Sequence, residues 1–289
     1  MKRKHMLTIL YWLAAIGIAL LFFTILIRWA EPRVAFHPVP GPTPPPPSFE
    51  RFEVTTGDGI NLTGWQTTIE PGRPVLLYIC GNAGNLTGRH ELLQGAAGRG
   101  IGIAAFNYRG TGESAGEPSE EGVYRDAEAV YDHLLSAGAA PEDIVVWGHS
   151  IGGAVACELA LRRRCAGLIL ESTFRSARVM AQRMIPWLPV GLFLTLRLDN
   201  EKALARLDLP ILFIHGTADP VVPVDDSRYL HNLARGPKEL WLVDGADHND
   251  NHMAPDGEFY DRITRFAGRV AASAGSQARP DEGGSSPDR

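Results

Sequence analysis

The sequence has few cysteines, no strong excess of either charge and a single long apolar run. Its 289 residues include three cysteines and carry a formal net charge of −5. Cys80, Cys157 and Cys165 show no CxxC spacing, so a cysteine-based zinc or redox motif and a disulfide scaffold are excluded. We expect these thiols to be buried as small apolar groups, although a Cys157 to Cys165 disulfide stays open. Basic residues are dispersed apart from a run at 162–164, so we expect no nucleic-acid partner.

The long apolar run lies near the amino terminus. Residues 6–27 contain no charged side chain, and at about 1.5 Å rise per residue they span the roughly 30 Å core of a bilayer. We predict a transmembrane anchor over residues 1–28. The alternative is a cleaved signal peptide, whose apolar region is usually shorter. Lys2, Arg3 and Lys4 precede the run, so we expect a cytoplasmic amino terminus and a domain on the outer or periplasmic side.

Composition divides the remaining chain into three segments. Prolines crowd residues 38–47, so we predict a semi-rigid polyproline linker over 29–48. Residues 274–289 combine glycine, serine, proline and charge with almost nothing to bury, and we predict a disordered tail there. Between them, residues 49–273 form the predicted folded domain.

Apolar runs and helical patterns alternate through the folded domain. The predicted strands lie near 51–56, 60–68, 74–80, 101–107, 144–149, 167–171, 210–215 and 239–243. The predicted helices lie near 87–98, 120–136, 151–164, 223–235 and 256–272. This order predicts an α/β fold with a mostly parallel eight-stranded sheet, an antiparallel first pair and helices on both faces. Its site should lie where the carboxyl ends of the strands meet.

A serine lies between glycines at one of the predicted strand-to-helix turns. The sequence Gly148-His149-Ser150-Ile151-Gly152 follows a β-branched run and precedes a helix-forming stretch. Such a turn strains the serine backbone and exposes its oxygen, and Gly148 and Gly152 lack the Cβ atoms that would keep strand and helix apart. We predict that Ser150 is a nucleophile.

An alcohol needs a base to act as a nucleophile, and that base needs an orienting carboxylate. Asp219 follows the strand predicted at 210–215, and His248 follows the one at 239–243. We predict that His248 is the general base and that Asp219 orients it.

Neighbouring acids and histidines offer alternatives to this assignment. Asp225 and Asp226 follow a proline at a predicted helix start, where carboxylates favour the helix dipole, so we rank Asp219 ahead of them. His215 is expected to be a packed residue at a strand end. His149 is expected to pack beside the nucleophile.

Two further predictions concern the oxyanion and metals. The loop Gly81-Asn82-Ala83-Gly84-Asn85 follows an early strand. We assign the two oxyanion donors to the backbone amides of Asn82 and Ile151. A cluster of Asp247, His248, Asp250 and His252 resembles a metal site, but its spacing is typical of a mobile loop that carries one histidine. We therefore predict no metal and no cofactor.

Taken together, the motifs resemble those of the membrane-anchored branch of the α/β-hydrolase superfamily. The resemblance rests on residues 81–85, 107–122, 148–153 and 171–174, and it spans about residues 50–270. It implies the α/β-hydrolase fold, and the chain order Ser, Asp, His agrees with it. Members of that branch include enzymes that remove acyl groups from lipidated proteins or lysophospholipids. This chain departs from the pattern at Cys80, where the family commonly has histidine.

Residues 175–206 interrupt the alternation and are rich in large apolar side chains. The superfamily inserts lids at this point. The segment is therefore an acyl-binding cap, a surface that meets the bilayer, or an ordinary helix packed on the sheet. The sequence predicts a serine hydrolase that cleaves carboxylic esters or thioesters of an acyl substrate. The alternatives are an aminopeptidase-like amide hydrolase and a non-catalytic membrane scaffold.

Overall fold

A computed structural model describes residues 2–82 and 84–278. Its helices are α1 Lys2–Phe36, α2 His90–Ala97, α3 Glu120–Ser136, α4 Ile151–Arg162, α5 Ala177–Met184, α6 Asn200–Leu204, α7 Val224–Leu233 and α8 Glu258–Ala278. Its strands are β1 Glu50–Thr55, β2 Asn61–Gln66, β3 Val75–Ile79, β4 Gly102–Phe106, β5 Ile144–His149, β6 Gly167–Glu171, β7 Ile211–Gly216 and β8 Lys238–Val243. Short 3-10 helices lie at Leu86–Arg89, Pro141–Asp143, Val190–Leu192, Asn251–Met253 and Pro255–Gly257.

The strands form one sheet in the order β1-β2-β4-β3-β5-β6-β7-β8. β1 pairs with β2 and β2 with β4 in antiparallel fashion, and the other neighbours are parallel. β3, β5, β6 and β7 are buried at every position, which is the pattern of parallel strands covered on both faces. The predicted mostly parallel sheet with an antiparallel first pair is confirmed.

Two apolar layers enclose the sheet because neighbouring residues of a strand point to opposite faces. Val146 belongs to the layer shared with α3, α4, α6 and α7. Val145 belongs to the layer shared with α2 and α8. The predicted helices on both faces are therefore present. α8 continues to Ala278, so the first five residues of the predicted tail are helical, and Ala274 packs against the core. The rest of that tail lies outside the described residues.

The amino-terminal helix differs from the predicted boundary. α1 continues past residue 28 to Phe36 and includes Pro32, so residues 29–36 are helical instead of belonging to a linker. Glu31 and Phe36 are buried against the folded domain, and these contacts stabilise the last turns of the helix. Residues 4–36 are long and apolar enough to cross a membrane, with a mean hydropathy of 2.5 in the most apolar window.

The proline-rich segment is hydrogen-bonded to the folded domain. The N–H of Gly41 donates to the carbonyl of Gly112, whose own N–H donates to Val39, each at 2.9 Å. The indole N–H of Trp65 donates to the carbonyl of Thr43 at 2.9 Å, and the amide of Asn107 donates to the Thr43 hydroxyl at 3.1 Å. The linker therefore holds the domain close to the end of α1.

The insertion at 175–206 contains two different kinds of helix. α6 packs Ala203 and Leu204 into the core, as an ordinary helix on a sheet does. No residue of α5 is buried. Arg183 at its end binds the buried carboxylate of Asp226 through two contacts of 2.7 and 2.6 Å. The insertion is therefore part core and part exposed cap. All three cysteines are free, so the Cys157 to Cys165 disulfide is not formed.

Candidate active site

The turn between β5 and α4 holds Ser150 in an unusual backbone conformation, with φ 55° and ψ −119°. A positive φ is uncommon for a residue with a Cβ and is held only where its surroundings enforce it. Here the N–H of Ser150 donates to the carbonyl of Glu171 at 2.8 Å. The hydroxyl of Thr173 donates to the carbonyl of Ser150 at 2.8 Å. The end of β6 therefore locks the turn from both sides.

The flanking glycines allow the close approach that this turn requires. A Cβ on Gly148 would lie 2.4 Å from the carbonyl oxygen of Gly152, and a Cβ on Gly152 would lie 2.2 Å from the carbonyl oxygen of Ile79. Both contacts involve backbone, which cannot move aside cheaply. Any side chain at either position would push α4 away from the sheet.

Ser150, His248 and Asp219 lie in one hydrogen-bonded chain. Nε2 of His248 is 3.0 Å from Oγ of Ser150, and Nδ1 of His248 is 2.7 Å from Oδ2 of Asp219. The three residues follow β5, β8 and β7 at the carboxyl edge of the sheet. Ser150 and His248 are each 7% exposed. The structure therefore brings together the three residues that the sequence places at strand ends.

Donors occupy both oxygens of the Asp219 carboxylate. Oδ1 accepts the N–H groups of Val221 and Val222, each at 2.8 Å, and Oδ2 contacts His248 and, at 3.1 Å, Nε2 of His215. Burial acts to raise the pKa of Asp219, but the hydrogen bonds from His215, His248 and Val222 outweigh it and hold that pKa well below its ordinary value. Asp219 is therefore a fixed anion.

His215 has a part in the site that the sequence analysis missed. It is fully buried, as expected of a packed residue, yet its Nε2 also lies 2.9 Å from the carbonyl of Val222. A carbonyl and a carboxylate can only accept, so Nε2 carries a proton. In the neutral ring, Nδ1 then accepts the hydroxyl of Ser227 at 2.6 Å. The signal in the sequence is the four-residue spacing from His215 to Asp219 across a tight turn.

The ring of His149, the residue before Ser150, packs against His248. Its ring centroid lies 5.1 Å from that of His248, and its Nε2 lies 2.9 Å from the backbone carbonyl of His248. Burial and the charge of Arg89 hold the pKa of His149 well below its ordinary value. Nε2 of the neutral His149 ring therefore donates to the carbonyl of His248 and fixes the backbone of the loop that carries His248.

The buried Glu171 connects β5 to the loop that carries His248. Glu171 accepts the indole N–H of Trp147 at 2.9 Å and the side-chain amide of Asn251 at 3.1 Å. Burial raises the pKa of Glu171, and these two donors oppose the rise. Asn251 also donates to the hydroxyl of Ser172 at 3.0 Å. Because Asn251 lies three residues after His248, this network supports the loop that carries the imidazole.

The carboxylates near His248 shape its loop. Asp250 accepts the N–H of Asp247 at 2.6 Å, and Asp247 accepts the N–H of Asn249 at 2.7 Å. Within residues 2–82 and 84–278, no group of three or more His, Cys, Asp or Glu side chains could hold a metal ion.

The two rivals of Asp219 have other partners. Asp225 binds Arg228 at 2.9 Å, and Asp226 binds Arg183. Neither forms a hydrogen bond to His248 among the described contacts.

The loop after β3 begins beside Ser150. A Cβ on Gly81 would lie 3.2 Å from Cβ of Ser150, and the next residue, Asn82, is exposed. The Tyr108 hydroxyl donates to the carbonyl of Cys80 at 2.9 Å and steadies the loop where the family commonly has histidine. Ile151 begins α4, so no carbonyl within the helix accepts its N–H. Ala83 lies outside the described residues.

Comparisons with known proteins agree with this architecture. Residues 72–198 match a family described as serine aminopeptidase, S33. The chain is 34% identical over 255 residues to the protein Rv2307c of Mycobacterium tuberculosis, covering 86% of this chain and 91% of that protein. It is 33% identical over 227 residues to the membrane protein YNL320W of Saccharomyces cerevisiae, covering 75% of this chain and 79% of that protein. The fold resembles the esterase Pf2001 of Pyrococcus furiosus, with a TM-score of 0.65, 19% identity and coverage of 81% and 98%.

The sheet order and the serine turn after β5 define an α/β-hydrolase, which confirms the predicted fold class. Within that superfamily, the chain belongs to the family represented by the mycobacterial and yeast relatives. The apolar α1 fits the membrane-anchored branch that the sequence motifs resemble.

Proposed function

We propose that the protein is a membrane-anchored serine hydrolase that cleaves the ester or thioester bond of an acyl substrate. The observation that supports this most directly is the hydrogen-bonded chain from Ser150 through His248 to Asp219. The two hydrogen-bond distances, the order of the three side chains and their burial are those that a nucleophile, a general base and an orienting acid require.

The proposed reaction passes through an acyl-enzyme. Oγ of Ser150 attacks the substrate carbonyl while Nε2 of His248 takes its proton. The tetrahedral intermediate collapses, the bond to the alcohol or thiol breaks, and His248 returns the proton to that leaving group. Water then attacks the acyl-serine by the same route, which releases the carboxylic acid and restores Ser150. Asp219 stays ionised throughout and stabilises the imidazolium.

We assign the oxyanion to the backbone amides of Asn82 and Ile151. The N–H of Ile151 lies at the amino end of α4, where the helix dipole also favours negative charge. The position of Gly81 against Ser150 supports the assignment of Asn82. Neither donor is a side chain, so the assignment is best tested by a transition-state analogue.

Acyl ester chemistry is preferred to aminopeptidase chemistry because of the carboxylates near the serine. An aminopeptidase needs a free acid close to the nucleophile to bind the ammonium group of its substrate. In the described part of the site, Asp219 contacts four donors, and Glu171 is buried and contacts two. Neither is free to bind an ammonium group. The two other carboxylates beside His248, Asp247 and Asp250, each accept a backbone N–H of its loop. The structural neighbour named as an esterase agrees with this choice, whereas the family matched by residues 72–198 is described as serine aminopeptidase.

We also propose that α1 crosses the membrane once, with the amino terminus in the cytoplasm and the catalytic domain on the outer side. The positive charges before the apolar run support this orientation. The yeast relative, named as a membrane protein, supports the anchoring but not the direction.

The test uses the full chain in detergent and p-nitrophenyl esters from acetyl to palmitoyl. We expect Ser150→Ala to lower turnover by about 10⁴-fold or more, because triad residues act as a unit. Ser136→Ala, an exposed serine at the end of α3, is the matched control and should keep full activity. Equal activity of Ser150→Ala and the parent chain would refute the mechanism.

Two further assays separate the alternatives. Faster cleavage of aminoacyl anilides than of esters would favour the amide hydrolase. Absence of both turnover and fluorophosphonate labelling would favour the scaffold, because only an activated serine reacts readily.

A further inference from the structure

Part of the cap is apolar and exposed to solvent. We define the cap segment as residues 184–196, which contain no charged side chain and lie between Arg183 and Arg197. Met184 at its start is 72% exposed, and Trp187 is 81% exposed. Exposed apolar surface of this kind marks a site that contacts a membrane, another protein or a ligand.

α1 packs along the cap segment. The rings of Phe23 and Phe193 meet edge to face with centroids 5.4 Å apart. The carboxylate of Glu31 accepts the backbone N–H groups of Thr195 and Leu196, both at 3.0 Å, and also contacts the Thr195 hydroxyl. Between residues 21 and 31 of α1, positions 23, 24, 27, 30 and 31 are half-buried or buried and the others are exposed, which is the spacing of one helix face. The cap segment is therefore attached to the last apolar turns of α1.

This attachment determines the height of the cap segment relative to a bilayer. Phe23 lies four residues before Ile27, the last residue of the uncharged run, so it lies roughly 6 Å inside the apolar end of the span. When α1 crosses a membrane, Phe193 beside it lies in the outermost part of the hydrocarbon, roughly one helical turn from the headgroups. Tryptophan is enriched at the adjoining headgroup level because its ring is amphipathic, and Trp187 lies six residues before Phe193 in the cap segment.

We propose that the cap segment inserts into the outer leaflet of the bilayer through Met184 and Trp187. The occupant of this exposed surface is therefore lipid, because the helix that contacts the segment is itself the candidate membrane span. A second protein or a second copy of this chain would not explain why the cap segment is joined to α1 within its apolar run.

The same helix, α1, also contacts the loop after β3 that contains Asn82. The side-chain amide of Asn82 donates to the carbonyl of Val34 at 3.2 Å. Phe36 contacts Tyr108, with ring centroids 6.4 Å apart, and Tyr108 holds the loop before Asn82. One helix thus contacts both the cap segment and the oxyanion loop. Resting on the proposed function, this arrangement assigns the site a substrate class: acyl esters or thioesters whose chain lies in the membrane and enters from its surface.

The first test measures depth with the full chain reconstituted in phosphatidylcholine vesicles. A nitrobenzoxadiazole label is placed on a Trp187→Cys variant and, as the control, on an Ala272→Cys variant. Ala272 is exposed on α8, close to Val270, which packs at the start of β6 away from the site. We expect nitroxide lipids to quench the label at position 187 and aqueous iodide to quench the label at position 272. Equal quenching by iodide at both positions would overturn the proposal, whether or not the protein is an enzyme.

The second test compares Trp187→Glu with Ala272→Glu, which adds the same charge elsewhere. On a long-chain p-nitrophenyl ester dispersed in vesicles, we expect Trp187→Glu to lose about tenfold in activity, because a carboxylate opposes interfacial insertion. On soluble p-nitrophenyl acetate both variants should match the parent chain. Equal loss on both substrates, or no loss on either, would contradict insertion of the cap segment. No turnover of either ester by the parent chain would instead count against the proposed function.

Discussion

His215 offers a sharp test of how the orienting acid is held. Its Nε2 lies 3.1 Å from the same oxygen of Asp219 that binds His248. We expect His215→Leu to remove one donor from an ionised acceptor, an interaction worth about 1.5–3 kcal/mol. If that energy acts fully on the transition state, kcat/KM falls roughly 10- to 150-fold, at about 1.4 kcal/mol per tenfold. His215→Gln keeps a donor near Nε2 and should recover most of the loss.

A pH profile separates a positioning role from a merely structural one. The hydrogen bond from His215 helps to keep the pKa of Asp219 low, so its loss leaves a carboxylate that attracts the protonated His248 ring more strongly. The acid limb of kcat/KM should therefore move to higher pH in His215→Leu and stay in place in His215→Gln. Ser227→Ala removes the donor to Nδ1 and should cost about 1 kcal/mol, or roughly fivefold.

The assay measures ester hydrolysis by the full chain across pH 5 to 9, with circular dichroism to check the fold of each variant. Unchanged kcat/KM in a folded His215→Leu variant would refute the argument. Equal losses in the Leu and Gln variants, with the parent pH profile, would show that His215 acts through packing alone.

Two further predictions concern stability. Gly152→Ala should destabilise the fold by about 3 kcal/mol because its Cβ would lie 2.2 Å from the carbonyl oxygen of Ile79. The control Gly268→Ala on α8, where a Cβ would have no atom within 4 Å, should stabilise the fold slightly. Equal changes of Tm in the two variants would contradict this prediction. His149 has a folded-state pKa well below its unfolded value of about 6.5, so stability should decline as pH falls below that value. Thermal unfolding at pH 7.5 and 5 should show a smaller decline for His149→Asn than for the parent chain, and an equal decline would argue against a buried neutral ring.

Local pattern was enough to predict the sheet and the meeting of Ser150, Asp219 and His248. The central strands are apolar runs buried on both faces, so their ends could be located within two residues. Once the strands are parallel, residues that follow different strands must meet at one edge. The sequence distance between Ser150 and His248 therefore did not hinder the prediction.

Contacts between distant side chains could not be predicted in this way. The bonds from Glu171 to Trp147 and Asn251 depend on the register of neighbouring strands and on a loop conformation. The extension of α1 to Phe36 depends on surfaces that exist only after the domain has folded. The periodicity of apolar residues indicates which residues are buried, but it does not indicate which buried side chains contact one another.

The binding of the proline-rich segment to the domain has a consequence for reach. Residues 37–48 are twelve in number, and as a free polyproline chain they would extend roughly 37 Å. An enzyme on such a tether could sample bonds over a broad zone above its membrane. With Gly41 and Thr43 bonded to the domain, the serine is held at one distance from the end of α1. Selection among substrates would then depend on the distance of the scissile bond from the membrane, as well as on the chemical groups next to that bond.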